Sequence, residues 1–279
     1  MKLNLKRIKD GRRNVDQVKE LLESRSGDNL AKYRETAAGI LKNVQKNGDL
    51  AVLEYTSRFD GVDFEASELE VTDAEIEAAL KEVDEDFIAA LKNAAANIED
   101  FHAEQKDKSW QKQKKPGIIT GQICQPLKKA GVYVPGGRAA YPSSVLMTVI
   151  PAKVAGVEEI IMLTPPDKEG KVSPVILAAA EIAGADRIFK IGGAQAVAAA
   201  AYGTETVPGV DIIVGPGNIY VSMAKELVFG QVKIDMIAGP SEIMIMAEKE
   251  SNPAYIAADL MSQAEHDPLA SSILVTDAP

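Results

Sequence analysis

Near the end of the chain the sequence reads Met261-Ser-Gln-Ala-Glu-His-Asp-Pro268, which sets Gln263 and His266 three residues apart. Side chains at i and i+3 share a helix face, so one amide oxygen and one imidazole can converge on one point. Two such donors suit a divalent metal, and the imidazole nitrogen favours zinc. At least two more ligands are needed, and the other histidine, His102, lies far away in the sequence. The plainer reading of this segment alone is a capped helix end, with His266 near the C-terminal dipole and Asp-Pro stopping the helix.

Three glycine-rich turns form the second chemical feature. They are Val134-Pro-Gly-Gly-Arg138, Ile191-Gly-Gly-Ala-Gln195 and Val214-Gly-Pro-Gly-Asn218, each at the end of an apolar run. Glycine lets backbone approach a ligand closely, and a helix N-terminus offers unpaired N–H groups to phosphate. The dinucleotide pattern G-x-G-x-x-G is not met, because Gly215-Pro-Gly217 continues as Asn-Ile-Tyr220. A nucleotide or phosphorylated ligand and simple tight turns both remain open.

Elements that position these residues follow from periodicity. Residues 1–110 read as helical. Asn14 caps a short helix, Asp28 starts a longer one ending at Gly48, and Thr72 with Glu75 makes a capping box. Asp84 caps a further helix, which carries Phe101 and His102 near its end. His102 has no chemical neighbours in sequence and reads as a packing or surface residue. Residues 106–115 are basic and polar and read as a domain boundary, with strands expected at 118–124 and 131–134. Cys124 falls in the first of these strands and is expected to be buried and structural. From residue 143 onward helices and strands alternate. Helices at 143–155, 174–182 and 194–201, and one through Met223 and Leu227, separate strands at 159–163, 187–191, 211–214 and 232–234. That rhythm implies βαβ units and a parallel, doubly wound α/β sheet. A strand at 243–246, a helix at 253–264 and a strand from 271 complete the chain.

Composition narrows the class. The chain has 279 residues, 46% hydrophobic and 26% charged, enough for about two domains with real cores. Its net charge of −10 argues against nucleic acid or an anionic membrane as partner. No apolar run approaches a membrane span, no secretory segment is evident, and one cysteine excludes an internal disulfide. A cytoplasmic enzyme is the expected class.

Five ordered stretches resemble the histidinol dehydrogenase family. They are Gly131-Val-Tyr-Val-Pro-Gly-Gly-Arg-Ala-Ala-Tyr-Pro-Ser-Ser-Val-Leu-Met147, Ile191-Gly-Gly-Ala-Gln-Ala-Val-Ala-Ala199, Val214-Gly-Pro-Gly-Asn-Ile-Tyr-Val221, Ala238-Gly-Pro-Ser-Glu242 and Ser262-Gln-Ala-Glu-His-Asp-Pro-Leu269. The resemblance implies oxidation of L-histidinol to L-histidine through the aldehyde, with reduction of two NAD and one zinc per site. By position, Tyr133, Gln195 and Asn218 match NAD-contacting residues, and Ser241 matches a substrate-contacting serine. Gln263 and His266 match two zinc ligands that also touch substrate. The resemblance also implies two incomplete Rossmann-like domains with an N-terminal helical region. Residues 127–237 would bind NAD, while 1–126 with 238–279 would hold the N-terminal helices and the substrate and zinc side. The family's catalytic Glu-His pair and its remaining zinc ligands, an Asp and a His, are expected beyond Pro279, so no catalytic residue is assigned within this chain, which the resemblance implies is truncated at its C-terminus and inactive alone. Glu265, two residues from Gln263, points to another helix face and is no substitute. A homodimer is implied by the family, weakened here without its C-terminal tail. Two other readings are a non-catalytic NAD-binding fragment and a metal-dependent hydrolase built on Gln263 and His266.

Overall fold

A computed structural model describes residues 7–8, 14–23, 28–136, 140–237, 242–264 and 270–278. Its centre is a five-stranded parallel sheet of β3 (Lys129–Tyr133), β4 (Glu159–Thr164), β5 (Arg187–Lys190), β6 (Ile212–Val214) and β7 (Lys233–Ile234). The strands lie in the order β5-β4-β3-β6-β7, so the chain starts in the middle, runs to one edge, then crosses to the other side of β3. This is the doubly wound α/β arrangement expected from the alternating pattern.

Helices cover both faces because the strand residues alternate. Val132, Ile160, Met162 and Ile188 point into one core with α4 (Asp73–Glu82), α5 (Glu85–Ala103), α6 (Pro142–Ala155) and α7 (Pro174–Ala183). Tyr133, Ile161, Leu163 and Phe189 point into the other, with α2 (Asp28–Asn47), α3 (Asp49–Asp60), α8 (Gly193–Tyr202) and α9 (Ile219–Val228). Near-continuous apolar strands are what a sheet buried on both faces requires. The alanine-rich α8 lies close to β3, where a Cβ on Gly131 would meet Ala200 at 3.5 Å. Residues before α4 also close the β5 edge. The Val71 N–H donates to the Ile188 carbonyl at 2.8 Å, the Lys190 N–H donates to that of Leu69 at 2.7 Å, and Arg187 forks onto Glu70.

Several local expectations hold. α1 (Val15–Glu23) follows Asn14, and α2 starts at Asp28. Thr72 Oγ1 accepts from the Glu75 N–H at 3.3 Å while Glu75 returns to the Thr72 N–H at 2.8 Å. Asp84 accepts from the Asp86 and Phe87 N–H groups and caps α5. His102 packs edge-on to Phe101 and pairs with Gln105 at 2.7 Å, away from the sheet's carboxyl edge.

Two places differ from the sequence reading. The helix α3 starts directly after Gly48, whose φ of +53° turns the chain at the end of α2. Its N-terminus is held by Glu205, whose carboxylate accepts from the Asp49 N–H at 2.8 Å. A cap supplied 156 residues away leaves no local signature. The basic segment also contains a strand, since β1 (Trp110–Lys115) pairs antiparallel with β2 (Ile118–Gln122) through the Pro116-Gly117 turn. Its alternating Lys and Gln residues carry no apolar period, so only the pairing reveals it. This hairpin is exposed, and Cys124 is half-buried beside it, its N–H donating to Ser109 Oγ at 2.9 Å. The expected burial of Cys124 in an apolar core is therefore corrected.

The last described unit is β8 (Glu242–Ala247), α10 (Pro253–Ala264) and β9 (Ser271–Thr276). It forms a right-length βαβ turn with β8 and β9 parallel, Glu242 opposite Ser271 and Ala247 opposite Thr276. Met244, Met246, Tyr255 and Met261 are exposed on it. Among the described residues, no helix is long and apolar enough to cross a membrane.

Candidate functional site

In an open α/β sheet, ligands bind beyond the carboxyl ends of the strands where the chain order reverses. Here that point lies between β3 and β6. Tyr133 ends β3, and the Gly215-Pro-Gly217 turn follows β6. The turn presses against its neighbour: Gly215 has φ +114°, and a Cβ there would lie 2.1 Å from the Tyr133 carbonyl oxygen. Only glycine satisfies both conditions.

The Tyr133 ring is buried on the α8 side, and its hydroxyl accepts from the Gly193 N–H at 3.0 Å. Burial pushes that hydroxyl up to about 12, with the charge of Asp60 adding to the rise and the Gly193 bond opposing it. Gln195 is the third residue of α8 and only 1% exposed. Its Oε1 has no hydrogen-bond partner among the described residues, and its carboxamide folds back over Gly193, where a Cβ would stand 2.6 Å from Oε1. Asn218 is exposed and caps α9, its Oδ1 accepting from the Tyr220 and Val221 N–H groups at 3.0 and 3.1 Å. Tyr133 and Gln195 thus flank the start of α8, and Asn218 opens α9 after the turn that packs on Tyr133, around the crevice expected at the switch point.

The glycine turns pack on each other as well as framing this space. A Cβ on Gly136 or on Gly192 would lie 2.5 or 2.6 Å from Pro165, which follows β4. The glycines therefore let three strand ends converge, a tertiary demand that serves a ligand only indirectly.

Two groups around the crevice were not singled out from sequence. Lys225, on α9, is buried and donates to the Gly215 carbonyl at 3.0 Å and to Asp235 Oδ1. Asp235 Oδ2 accepts from the Gly215 N–H at 2.8 Å, so this pair holds both backbone groups of Gly215. Asp60 ends α3, and its Oδ2 is buried without a partner. Burial raises the Asp60 carboxyl from 3.8 to about 6. The folded chain therefore holds this proton more tightly than the unfolded chain, and stability falls as pH rises from about 4 to about 6. For this half-buried group the loss is roughly 1 kcal/mol after solvent screening. Urea unfolding at pH 4.5 and 7 is expected to show that slope in the wild type and its absence in Asp60→Asn.

A cavity of about 380 Å³ lies beside Leu127, Asp211 and Lys233, at the opposite, amino end of the strands. It is remote from the glycine turns.

Residues 23–279 match the family model for histidinol dehydrogenase. The chain is 55% identical over 269 residues to histidinol dehydrogenase of Clostridium acetobutylicum, covering 96% of this chain and 62% of that protein. The chain belongs to the histidinol dehydrogenase family. It is 60% identical over 242 residues to the enzyme of Syntrophotalea carbinolica, covering 87% of this chain and 56% of that one. The crystal structure of histidinol dehydrogenase from Elizabethkingia anophelis superposes with a TM-score of 0.80 at 38% identity, covering 91% of this chain and 57% of that one. The chain spans about 60% of the length of the curated relatives it matches.

Of Ser241, Gln263 and His266, the second set that the resemblance implies, the structure describes one. Gln263 is half-buried in the last turn of α10. Ser241 and His266 lie outside the described residues, and so does the shared helix face expected for Gln263 and His266. Among the described residues, no group of three His, Cys, Asp or Glu side chains is placed to hold a metal ion.

Proposed function

We propose that this chain is part of a histidinol dehydrogenase, a cytoplasmic NAD-dependent oxidoreductase that converts L-histidinol to L-histidine through the aldehyde, the last step of histidine biosynthesis. Residues 127–237 form the NAD-binding portion. Residues 1–126 and 238–279 provide the N-terminal helices and the substrate and zinc side, and the working form is a homodimer. One observation supports the reading: in a chain of this family, Tyr133 ends β3 at the sheet's switch point and holds the start of α8, where Gln195 keeps a buried oxygen without a partner among the described residues.

The crevice fits a dinucleotide. A buried acceptor without a donor costs about 1–3 kcal/mol, and a ligand N–H or O–H would relieve it. Tyr133 fixes the first N–H of α8, and the rest of that N-terminus favours a phosphate. Asn218 keeps the start of α9 in place for the same contact. Lys225 and Asp235 hold the intervening turn, so the crevice needs little reorganisation to receive a ligand. NAD supplies the hydride acceptor when bound.

Zinc stands differently. Gln263 offers one carboxamide oxygen, which alone does not make a metal shell. The assignment of zinc to Gln263 and His266, and of substrate to these two with Ser241, rests on the resemblance. No step is derived through the metal.

A second reading is nucleotide binding without turnover by residues 1–279 alone. It is favoured by where the packing lies. The crevice stands on a sheet covered on both faces, whereas Gln263 stands on α10, which has no fully buried side chain. Calorimetry with NAD, followed by NADH absorbance with histidinol and zinc at alkaline pH, separates the two. Heat with residues 1–279, and turnover only when the chain continues past Pro279 to the full length of its relatives, support the enzyme reading, and heat without turnover in either supports the second. No heat at millimolar NAD sinks both.

A further inference from the structure

We infer that the Asp60 carboxylate is a nucleotide-binding group of the crevice, accepting hydrogen bonds from ribose hydroxyls and repelling a phosphate on that ribose. This rests on the proposed dinucleotide reading and adds a residue that the family resemblance did not supply. Four buried side-chain oxygens lack partners among the described residues: Asp49 Oδ1, Thr56 Oγ1, Asp60 Oδ2 and Gln195 Oε1. Asp49 is already engaged through its other oxygen, which accepts from Thr206. Thr56 is fully buried in α3. The remaining two belong to the same side of the sheet. Asp60 ends α3, which packs on α8, and it lies close enough to Tyr133 for its charge to be felt at the hydroxyl. That hydroxyl holds Gly193, and Gln195 folds over Gly193.

Two acceptors without a donor among the described residues therefore lie on the face of the sheet that α3 and α8 cover. A ligand can supply the donors that the described residues do not, and a dinucleotide offers them as ribose hydroxyls. A cis-diol presents two adjacent O–H groups that match the two oxygens of one carboxylate, the use to which dinucleotide folds put an acidic side chain. A purely structural carboxylate would carry a cap, a salt bridge or a turn bond. Asp60 makes no such bond through its buried oxygen, and α3 ends instead on Gly61 in the left-handed conformation. An unpaired carboxylate also sets a sign. It attracts hydroxyl donors and disfavours a 2′-phosphate, so NAD is preferred to NADP.

The test is calorimetry of NAD and NADP on the 279-residue chain and on Asp60→Asn, at a pH well above 6. Thermal melts alongside confirm that both are folded. Asparagine keeps the shape and one acceptor but loses the charge. The wild type is expected to prefer NAD by at least about tenfold, since hydrogen bonds to charged groups have that worth. In Asp60→Asn, NAD binding falls by about tenfold while NADP binding holds or tightens, so the ratio collapses. Asp60→Ser, smaller and also uncharged, is expected to collapse it too. Folded variants with an unchanged NAD affinity and an unchanged ratio overturn the inference, and so does an equal loss for both nucleotides. Failure of the wild type to bind NAD instead removes the dinucleotide reading on which the inference stands.

Discussion

Replacing Lys225 with methionine is expected to lower the unfolding free energy by about 3 kcal/mol, the range seen when one partner of a buried ion pair is removed. The ammonium is only 4% exposed and sits against Asp235 and the Gly215 carbonyl. Methionine matches its length but donates nothing. Asp235 would keep its bond from the Gly215 N–H and lose its counter-charge, and the Gly215 carbonyl would lose its donor. Urea denaturation of wild type and variant measures the difference. A loss under about 0.5 kcal/mol, the size of an ordinary surface change, would show that the pair contributes little. The double variant Lys225→Met with Asp235→Asn should recover part of the loss, because the stranded charge is gone. NAD binding is expected to weaken in both, since the turn leading to Asn218 is no longer held.

The second large effect has the opposite sign for the fold. Gln195→Met is expected to stabilise the chain by about 1 kcal/mol, because it removes a buried oxygen that has no partner and keeps nearly the same volume. The same change should weaken NAD binding by at least about tenfold if that oxygen accepts from the nucleotide. Melting temperature and calorimetry give the two readouts independently. A destabilised variant with intact NAD affinity would make Gln195 a packing residue. The expected combination, steadier but less able to bind, is the signature of a group whose partner is a ligand.

The class of the five-stranded sheet was legible because each strand is a short apolar run between helices with local stop signals. Gly156, Gly184 and Gly203 close α6, α7 and α8, and Pro142 and Pro174 open α6 and α7. The capping residues Thr72, Asp84 and Asn218 act within three residues of themselves, so they too could be recognised by spacing. Tyr133, Gln195 and Asn218 were named through the family motifs, which lie in their order along the chain. The motifs said nothing of how the three meet.

What the sequence determined by itself, then, is the alternation, the helix ends and the family. These depend on neighbours within a few residues or on whole ordered motifs. The tertiary structure decided the rest. The cap of α3 comes from Glu205, the strand β1 exists only through pairing with β2, and Gly215 is held by Lys225 and Asp235 from ten and twenty residues away. Asp60 shows the same limit at the crevice. In sequence it is one of 41 acidic residues, and only folding buries its oxygen and leaves it without a donor among the described residues. Whether a polar atom has a partner is a property of contacts between distant segments, and local spacing carries no record of them.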